Sequence, residues 1–194
     1  MKYIIYIINL FVVLFSIELK AQKFSFDIYS GVNRTSISNI LLGDRNNSIR
    51  KTGVGFQVGF RANYRVTNKL QVLTGLGMSN RAYTEDFFGN GEIDYEKMFF
   101  IEIPMMVSIS IGKKFYTNFG LVHSYKFASN THYYWNDQKE ILYGIDFQSL
   151  VGYKLNNRFG IEVGALYGSL LDHALARLNI TNFVGSLCLT YKLK

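Results

Sequence analysis

The sequence predicts an all-β protein, an eight-stranded antiparallel up-and-down transmembrane β-barrel. Three observations carry that expectation. Apolar residues recur at period two over segments longer than an ordinary strand, tight and long connections alternate along the chain, and the composition suits strands rather than helices. The 194 residues include 17 glycines, one proline and 16% aromatic residues. Fourteen tyrosines and sixteen phenylalanines against one tryptophan exceed the needs of a soluble domain of this size, and membrane barrels place such rings in girdles at both interfaces. The mean hydropathy of +0.07 is too low for a helical membrane protein. It is normal for a barrel in which every second residue is polar.

Residues 1–21 read as a secretory signal peptide and residues 22–194 as the barrel domain. Lys2 supplies the positive start, Tyr3 to Ile17 is an apolar run broken only by Asn9 and Ser16, and cleavage falls near Ala21 or Gln22. Some fifteen apolar residues fall short of the roughly twenty that a membrane helix needs. With no cysteine near the cut, no lipoprotein anchor is expected. The single cysteine, Cys188, cannot form an internal disulfide and is expected to fill space on the small-residue face of the last strand.

The strands follow in order. Lys23 to Arg34 alternates Phe24, Phe26, Ile28 and Ser30 against Ser25, Asp27, Tyr29 and Gly31, and a polar stretch from Thr35 to Lys51 follows. Thr52 to Val66 has the cleanest alternation: Val54, Phe56, Val58, Phe60, Ala62, Tyr64 and Val66 face one way, while Gly53, Gly55, Gln57, Gly59, Arg61, Asn63 and Arg65 face the other. A tight turn at Thr67-Asn68-Lys69 leads into Leu70 to Tyr83, and the polar segment Thr84 to Asp94 forms a long connection. Phe100 to Ile111 then places Ile101, Ile103, Met105, Val107, Ile109 and Ile111 on one face and Glu102, Pro104, Met106, Ser108 and Ser110 on the other. At twelve residues it exceeds the roughly ten that a tilted strand needs to cross a bilayer. Pro104 lacks a ladder donor, so a bulge or distorted register is expected beside it. Gly112-Lys113-Lys114 turns tightly into Phe115 to Ala128, a long connection runs from Ser129 to Glu140, and Ile141 to Leu155 turns at Asn156-Asn157 into Arg158 to Leu170. Leu171 to Leu178 is the last longer connection, and Asn179 to Lys194 the final strand.

Short turns on one side and long loops on the other match outer-membrane barrels, whose termini and short turns lie in the periplasm. Closure is required because an open sheet edge in hydrocarbon leaves backbone groups unpaired at several kcal/mol each. Eight strands enclose a space that side chains just fill, so a packed polar lumen is expected instead of a channel. Inward glycines, among them Gly55, Gly59, Gly75, Gly77, Gly120, Gly152, Gly160 and Gly164, leave room for longer residues opposite.

Three short motifs carry a family resemblance. Ile101-Glu102-Ile103-Pro104 at a mid-chain strand, Asp146-Phe147 with Gly152-Tyr153 in the sixth, and Tyr167-Gly168-Ser169-Leu170 ending the seventh resemble the Bacteroidetes-type outer-membrane β-barrel family, porin-like or PorT-like. The resemblance spans the whole mature chain. It implies an eight-stranded outer-membrane barrel, mostly without assigned activity, with one branch tied to protein secretion and gliding. The chain departs from the usual aromatic ending, closing Leu187-Cys188-Leu189-Thr190-Tyr191-Lys192-Leu193-Lys194, but Leu193 keeps an apolar residue in the near-terminal place. Outer-membrane lipid and the barrel-assembly machinery are therefore the expected partners of a monomer.

Candidate chemistry concentrates on the inward face. Arg61, Glu102, Asp146 and Glu162 lie away from the strand ends, with Arg65, Lys154, Arg158 and Lys192 near the periplasmic rim. Charges in a narrow lumen must pair or stay hydrated, so a structural ion-pair network is expected, and Glu102 requires a basic partner. The sharper alternative is an ion or proton site. The net charge of +7 does not point to nucleic acid, because the basic residues are scattered instead of gathered in a run.

Lipid A modification is the main enzymatic rival. Nucleophilic catalysis needs a serine or cysteine within reach of an oriented histidine. Of the three histidines, His123 adjoins Ser124, so the two point to opposite faces; His173 beside Asp172, with Ser169 near, is a pairing expected by chance; His132 has no partner in its pattern. No enzyme and no cofactor is expected. A soluble lipocalin-like barrel is the other alternative, and it would place apolar residues inside and Arg61, Glu102 and Asp146 toward water. Among the loops, the second is acidic (Glu85, Asp86, Glu92, Asp94, then Glu96) and reads as solvated; its Asn90-Gly91-Glu92-Ile93-Asp94 lacks the ligand order of an EF-hand. The third carries His132-Tyr133-Tyr134-Trp135-Asn136. Tyr133, Tyr134 and Trp135 there form either a contact surface for an unidentified partner or an upward extension of the aromatic girdle. The leading function is non-enzymatic: structural, adhesive or secretion-accessory work through extracellular loops.

Overall fold

A computed structural model describes residues 23–40, 50–86, 93–129, 142–172 and 179–193. They form eight strands: β1 (Phe24–Ile40), β2 (Arg50–Arg65), β3 (Leu70–Asp86), β4 (Ile93–Ile111), β5 (Phe115–Ser129), β6 (Leu142–Lys154), β7 (Phe159–Asp172) and β8 (Asn179–Lys192). Each pairs antiparallel with its sequence neighbours, and β1 pairs with β8 from Asp27↔Lys192 to Ile40↔Asn179, closing the sheet. No edge remains to be satisfied by lipid.

The two faces of the wall are opposite in character. Val54, Phe56, Val58, Leu76, Met105, Val151 and Val163 are exposed on the outside, while Arg61, Asn63, Glu102, Asn118, Asp146 and Glu162 are buried within. This is the reverse of a soluble ligand-filled barrel and fits hydrocarbon around the wall. Outer aromatic residues pair across strands near the turn end, Phe24 with Tyr64, Phe115 with Tyr153 and Phe159 with Tyr191, ring centroids 4.9 to 5.0 Å apart. Phe99 with Phe127 and Tyr125 with Tyr143 do the same toward the other end. These are the two interfacial girdles.

Local chemistry sets the three tight turns. Thr67 Oγ1 accepts from the backbone N–H groups of Lys69 and Leu70 at 3.2 and 3.0 Å. Asn156 Oδ1 does the same for Arg158 and Phe159, at 2.8 and 2.9 Å. Gly112, at φ 67°, supplies the left-handed residue between β4 and β5. All three turns lie at the mouth where β1 begins and β8 ends.

The strands outrun the apolar pattern at the opposite end. β1 continues through residues expected to be loop, to Ile40, and β2 begins at Arg50. The acidic segment is likewise no open loop over its whole length, because Glu85 pairs with Asp94, Asp86 with Ile93 and Tyr83 with Glu96 in a β3–β4 ribbon. Alternation ends where both faces meet water, but the backbone ladder does not require it to continue. Hence the 19 residues of β4 include the stretch from Phe100 and seven residues before it.

The irregularity expected at Pro104 is displaced. On the β5 side Pro104 pairs with Val122 in register, and the shift falls between Phe99 and Phe100, where Phe127 is the extra residue. On the β3 side the ladder skips from Thr74↔Met105 to Gly77↔Glu102 without changing register. The missing donor of Pro104 thus opens a gap instead of a bulge. Residues 1–21, and Tyr133, Tyr134 and Trp135 with His132 and His173, lie outside the described residues.

Candidate functional site

Inside the barrel the charges form two separate clusters. In the lower one, nearer the turns, Arg61 on β2 meets Glu162 on β7 across the lumen, Nη1 to Oε2 at 2.9 Å and Nη2 to Oε1 at 3.0 Å. Tyr116 Oη and Asn118 Nδ2 on β5 each donate to the same Oε1 at 3.0 Å. The Tyr29 ring lies 4.8 Å from the Arg61 guanidinium, a cation–π contact that adds to the pair. Burying a charge pair is tolerated only when its remaining valences are satisfied, and Glu162 achieves this with four donors on three side chains.

In the upper cluster the cation is Arg81 on β3. Its Nη2 lies 2.7 Å from Glu102 Oε1 on β4 and 3.1 Å from Asp146 Oδ2 on β6. It also donates to Ser124 Oγ at 2.9 Å, and Ser124 in turn donates to Asp146 at 2.8 Å. Ser79 Oγ donates to Glu102 at 2.6 Å. The Phe100 ring lies 4.3 Å from the guanidinium carbon of Arg81, and that ring is fully buried.

All four inward charges expected from the sequence are thus in the lumen, but they do not form one network. Arg61 joins Glu162, whereas Glu102 and Asp146 join Arg81, the basic partner that Glu102 required. Arg81 was missed although its parity signal was present, since it lies on the same β3 face as Gly75, Gly77 and Ser79. Tyr29 and Tyr116 were missed for another reason. Their rings occupy the space above glycines, Tyr29 over Gly59 and Gly77, and Tyr116 over Gly152 and Gly160, a complementarity between different strands that no single strand displays. Apolar side chains separate and flank the clusters: Leu73, Met106 and Leu150 in one group, Val122, Leu166 and Val184 in the other.

Cys188 is buried in the lumen, where Gln57 Nε2 donates to its Sγ at 2.6 Å, so it acts as an interior filling residue. His123 and Ser124 point to opposite faces. His123 shares a hydrogen bond with Tyr143 Oη at 2.5 Å on the outer face, and Ser124 is buried inside. That geometry excludes a dyad between them. Among the described residues no group of three or more His, Cys, Asp or Glu converges to hold a metal ion.

The lumen is nearly filled. A cavity of about 20 Å³ lies between the clusters, bordered by Arg61, Glu102, Gln148 and Glu162. It has room for about one water molecule. A wider vestibule of about 480 Å³ opens at the turn end, with Tyr116, Asn118 and Glu162 at its inner limit.

A closed eight-stranded wall, apolar outside and ion-paired within, defines an outer-membrane β-barrel protein. The comparisons agree: residues 20–169 match the family described as outer membrane protein beta-barrel domain, and the chain belongs to that family. None of the curated proteins matches it by sequence. Among solved structures, Neisserial surface protein A superposes with a TM-score of 0.55 at 13% identity, over 86% of this chain and 97% of that one. The outer membrane protein OprG of Pseudomonas aeruginosa gives 0.52 at 15% identity, covering 87% and 95%. AlkL, solved in lipid bilayers, gives 0.52 at 13%, covering 89% and 91%. At these identities the likeness concerns the fold.

Proposed function

We propose that this chain works as a non-enzymatic structural, adhesive or secretion-accessory protein of the outer membrane, acting through the loops opposite its short turns and not through its lumen. The observation that carries this reading is the double blockade of the lumen by the Arg61–Glu162 and Arg81–Glu102–Asp146 clusters. A plugged wall transmits nothing through its axis, so its variable parts are the loops. The resemblance to Bacteroidetes-type barrels supports secretion-accessory work, and membrane lipid, the barrel-assembly machinery and a protein partner at the loops are the partners proposed for a monomeric barrel exported by a cleaved signal peptide.

The third loop, with Tyr133, Tyr134 and Trp135, is the proposed contact surface, since aromatics clustered in sequence on a loop suit binding anchors. The test is deletion of residues 131–139, leaving the barrel intact by heat-modifiable electrophoresis. Loss of a cross-linked partner or of cell attachment supports the reading. Steady single-channel conductance from the intact protein in planar bilayers, or a changed lipid A mass spectrum on deleting the gene, overturns it.

A further inference from the structure

The vestibule at the turn end has a charge order that the plug does not need. Its outer part is basic: Lys113 and Lys114 on the β4–β5 turn, Lys154 at the end of β6 and Arg158 on the β6–β7 turn are all exposed and all line it. Together they form one continuous arc. These residues are scattered in the sequence, yet closure of the barrel gathers them at one mouth. Lys192 also lines the vestibule, as the in-register neighbour of Asp27. Of the remaining four, Lys114 turns toward the outer face, where its Nζ donates to Tyr153 Oη at 3.2 Å; Lys113, Lys154 and Arg158 form no ion pair among the described residues. Facing the arc, β1 to β3 contribute Asp27 and neutral polar side chains, including Asn63 and Gln71.

Deeper in, the polarity reverses and acceptors dominate. Asn63 and Asn118 line the vestibule and are 3% and 1% exposed. Each uses its Nδ2 as a donor, Asn63 to Asp27 Oδ2 at 2.7 Å and Asn118 to Glu162 Oε1 at 3.0 Å. The Oδ1 of each accepts no hydrogen bond among the described residues. Buried side-chain oxygens without donors are uncommon because they forfeit the hydration they had in the unfolded chain. Two of them, beside the carboxylate of Asp27, line a chamber of about 480 Å³, within the usual size of a small-ligand site.

We propose that this vestibule is a binding site for a ligand of the amino acid or short peptide class, carrying both ammonium or amide N–H groups and carboxylates. Its N–H groups point inward to Asn63, Asn118 and Asp27, and its carboxylates outward to Lys113, Lys154 and Arg158. A bare anion would satisfy the arc and leave the inner acceptors unmet. A bare cation would be repelled at the entrance. Only a ligand of both characters matches the order from rim to floor. The proposal depends on the outer-membrane reading solely in naming the periplasm as the side from which the ligand comes; it does not depend on what the loops do. Free peptides and the stem peptides of the cell wall share this chemistry.

The test uses the full mature chain refolded into zwitterionic lipid nanodiscs, with calorimetric titration of three probes at one ionic strength. These are the free-ended tripeptide alanyl-glutamyl-lysine, its acetylated and amidated counterpart with glutamine for glutamate, and inorganic phosphate. The expected result is saturable binding of the free tripeptide and at least tenfold weaker binding of the other two. The double substitution Lys154→Gln and Arg158→Gln, at exposed positions, should weaken the tripeptide by about tenfold or more, as expected for lost hydrogen bonds to charged groups. Co-sedimentation with purified cell-wall sacculi then separates the sources: retention assigns wall peptides, and its absence assigns free peptides. Equal binding of phosphate and tripeptide would reduce the site to an anion rim and overturn the proposal, as would saturable binding of none of the probes, or tripeptide affinity unchanged by the double substitution. Deletion of residues 131–139 leaves this binding intact, so failure here and failure of the loop reading are separate results.

Discussion

Arg61 on β2 and Glu162 on β7 meet across the lumen in a two-pronged ion pair with both side chains no more than 4% exposed. Tyr116 and Asn118 also donate to Glu162 but carry no charge, so they cannot replace the guanidinium. Glu162→Ala or Arg61→Ala should each destabilise the barrel by about 3–5 kcal/mol, because each strands a buried charge. Urea unfolding followed by gel mobility measures the cost. The double variant Arg61→Leu with Glu162→Leu should lose much less than the sum; a strictly additive result would show that the pair is not coupled.

Arg81 carries more than Arg61, since it serves two carboxylates and a hydroxyl. Replacing it by methionine keeps bulk over Phe100 but leaves Glu102 and Asp146 facing each other without a cation. The expected loss is at least as large as for Arg61→Ala, about 3–5 kcal/mol or more. Phe100→Leu, which removes only the ring face, should cost about 1–3 kcal/mol as cation–π contact and packing are lost together. Equal losses for the two variants would contradict this ranking.

The tyrosine–glycine contacts predict a suppressor. A Cβ at Gly152 would stand where the Tyr116 ring lies, and one at Gly59 where the Tyr29 ring lies. Gly152→Ala should therefore cost about 1–3 kcal/mol by overpacking. Adding Tyr116→Leu should recover part of that loss even though Tyr116→Leu alone is harmful. If the two effects simply add, the ring does not occupy that space.

On the outer face, Val163 is 56% exposed and pairs with Val151 and Leu187, both also outward. Val163→Arg should cost about 2–4 kcal/mol near the bilayer midplane, read as a lower urea midpoint in lipid vesicles. A neutral outcome would be incompatible with hydrocarbon at that position.

Much of this architecture was legible in advance because a barrel wall is a one-dimensional problem. Period-two alternation in residues 52–66 and 100–111 reports face, and the Thr67, Gly112 and Asn156 turns report connection length. The ends of the strands were less legible. Above the apolar band Thr35 to Ile40 no longer alternates apolar with polar, so a strand there looks like a loop. The lumen was legible by parity and not by partnership. Arg61 and Glu162 are 101 residues apart, and which inward cation meets which inward carboxylate depends on the stagger of eight strands. The bulge or distorted register expected beside Pro104 is absent for a related reason: a missing donor is a local fact, but how the ladder answers it depends on the neighbouring strand, and here the answer is a gap toward β3, while Pro104 stays in register with β5.

Tyr29 and Tyr116 also divide the wall. Tyr29 on β1 reaches over β2 and β3, and Tyr116 on β5 reaches over β6 and β7, an offset of four strands in an eight-strand cycle. The interior thus has an approximate twofold repeat, two three-strand blocks each fastened from within by one ring. Of the two strands between the blocks, β4 is tied to β3 and onward to β6 by the Arg81–Glu102–Asp146 cluster, whereas β8 enters none of the lumen ion pairs among the described residues. Forced apart, the cylinder should fail first along β8, and a split or circularly permuted version should reassemble best when its break falls there.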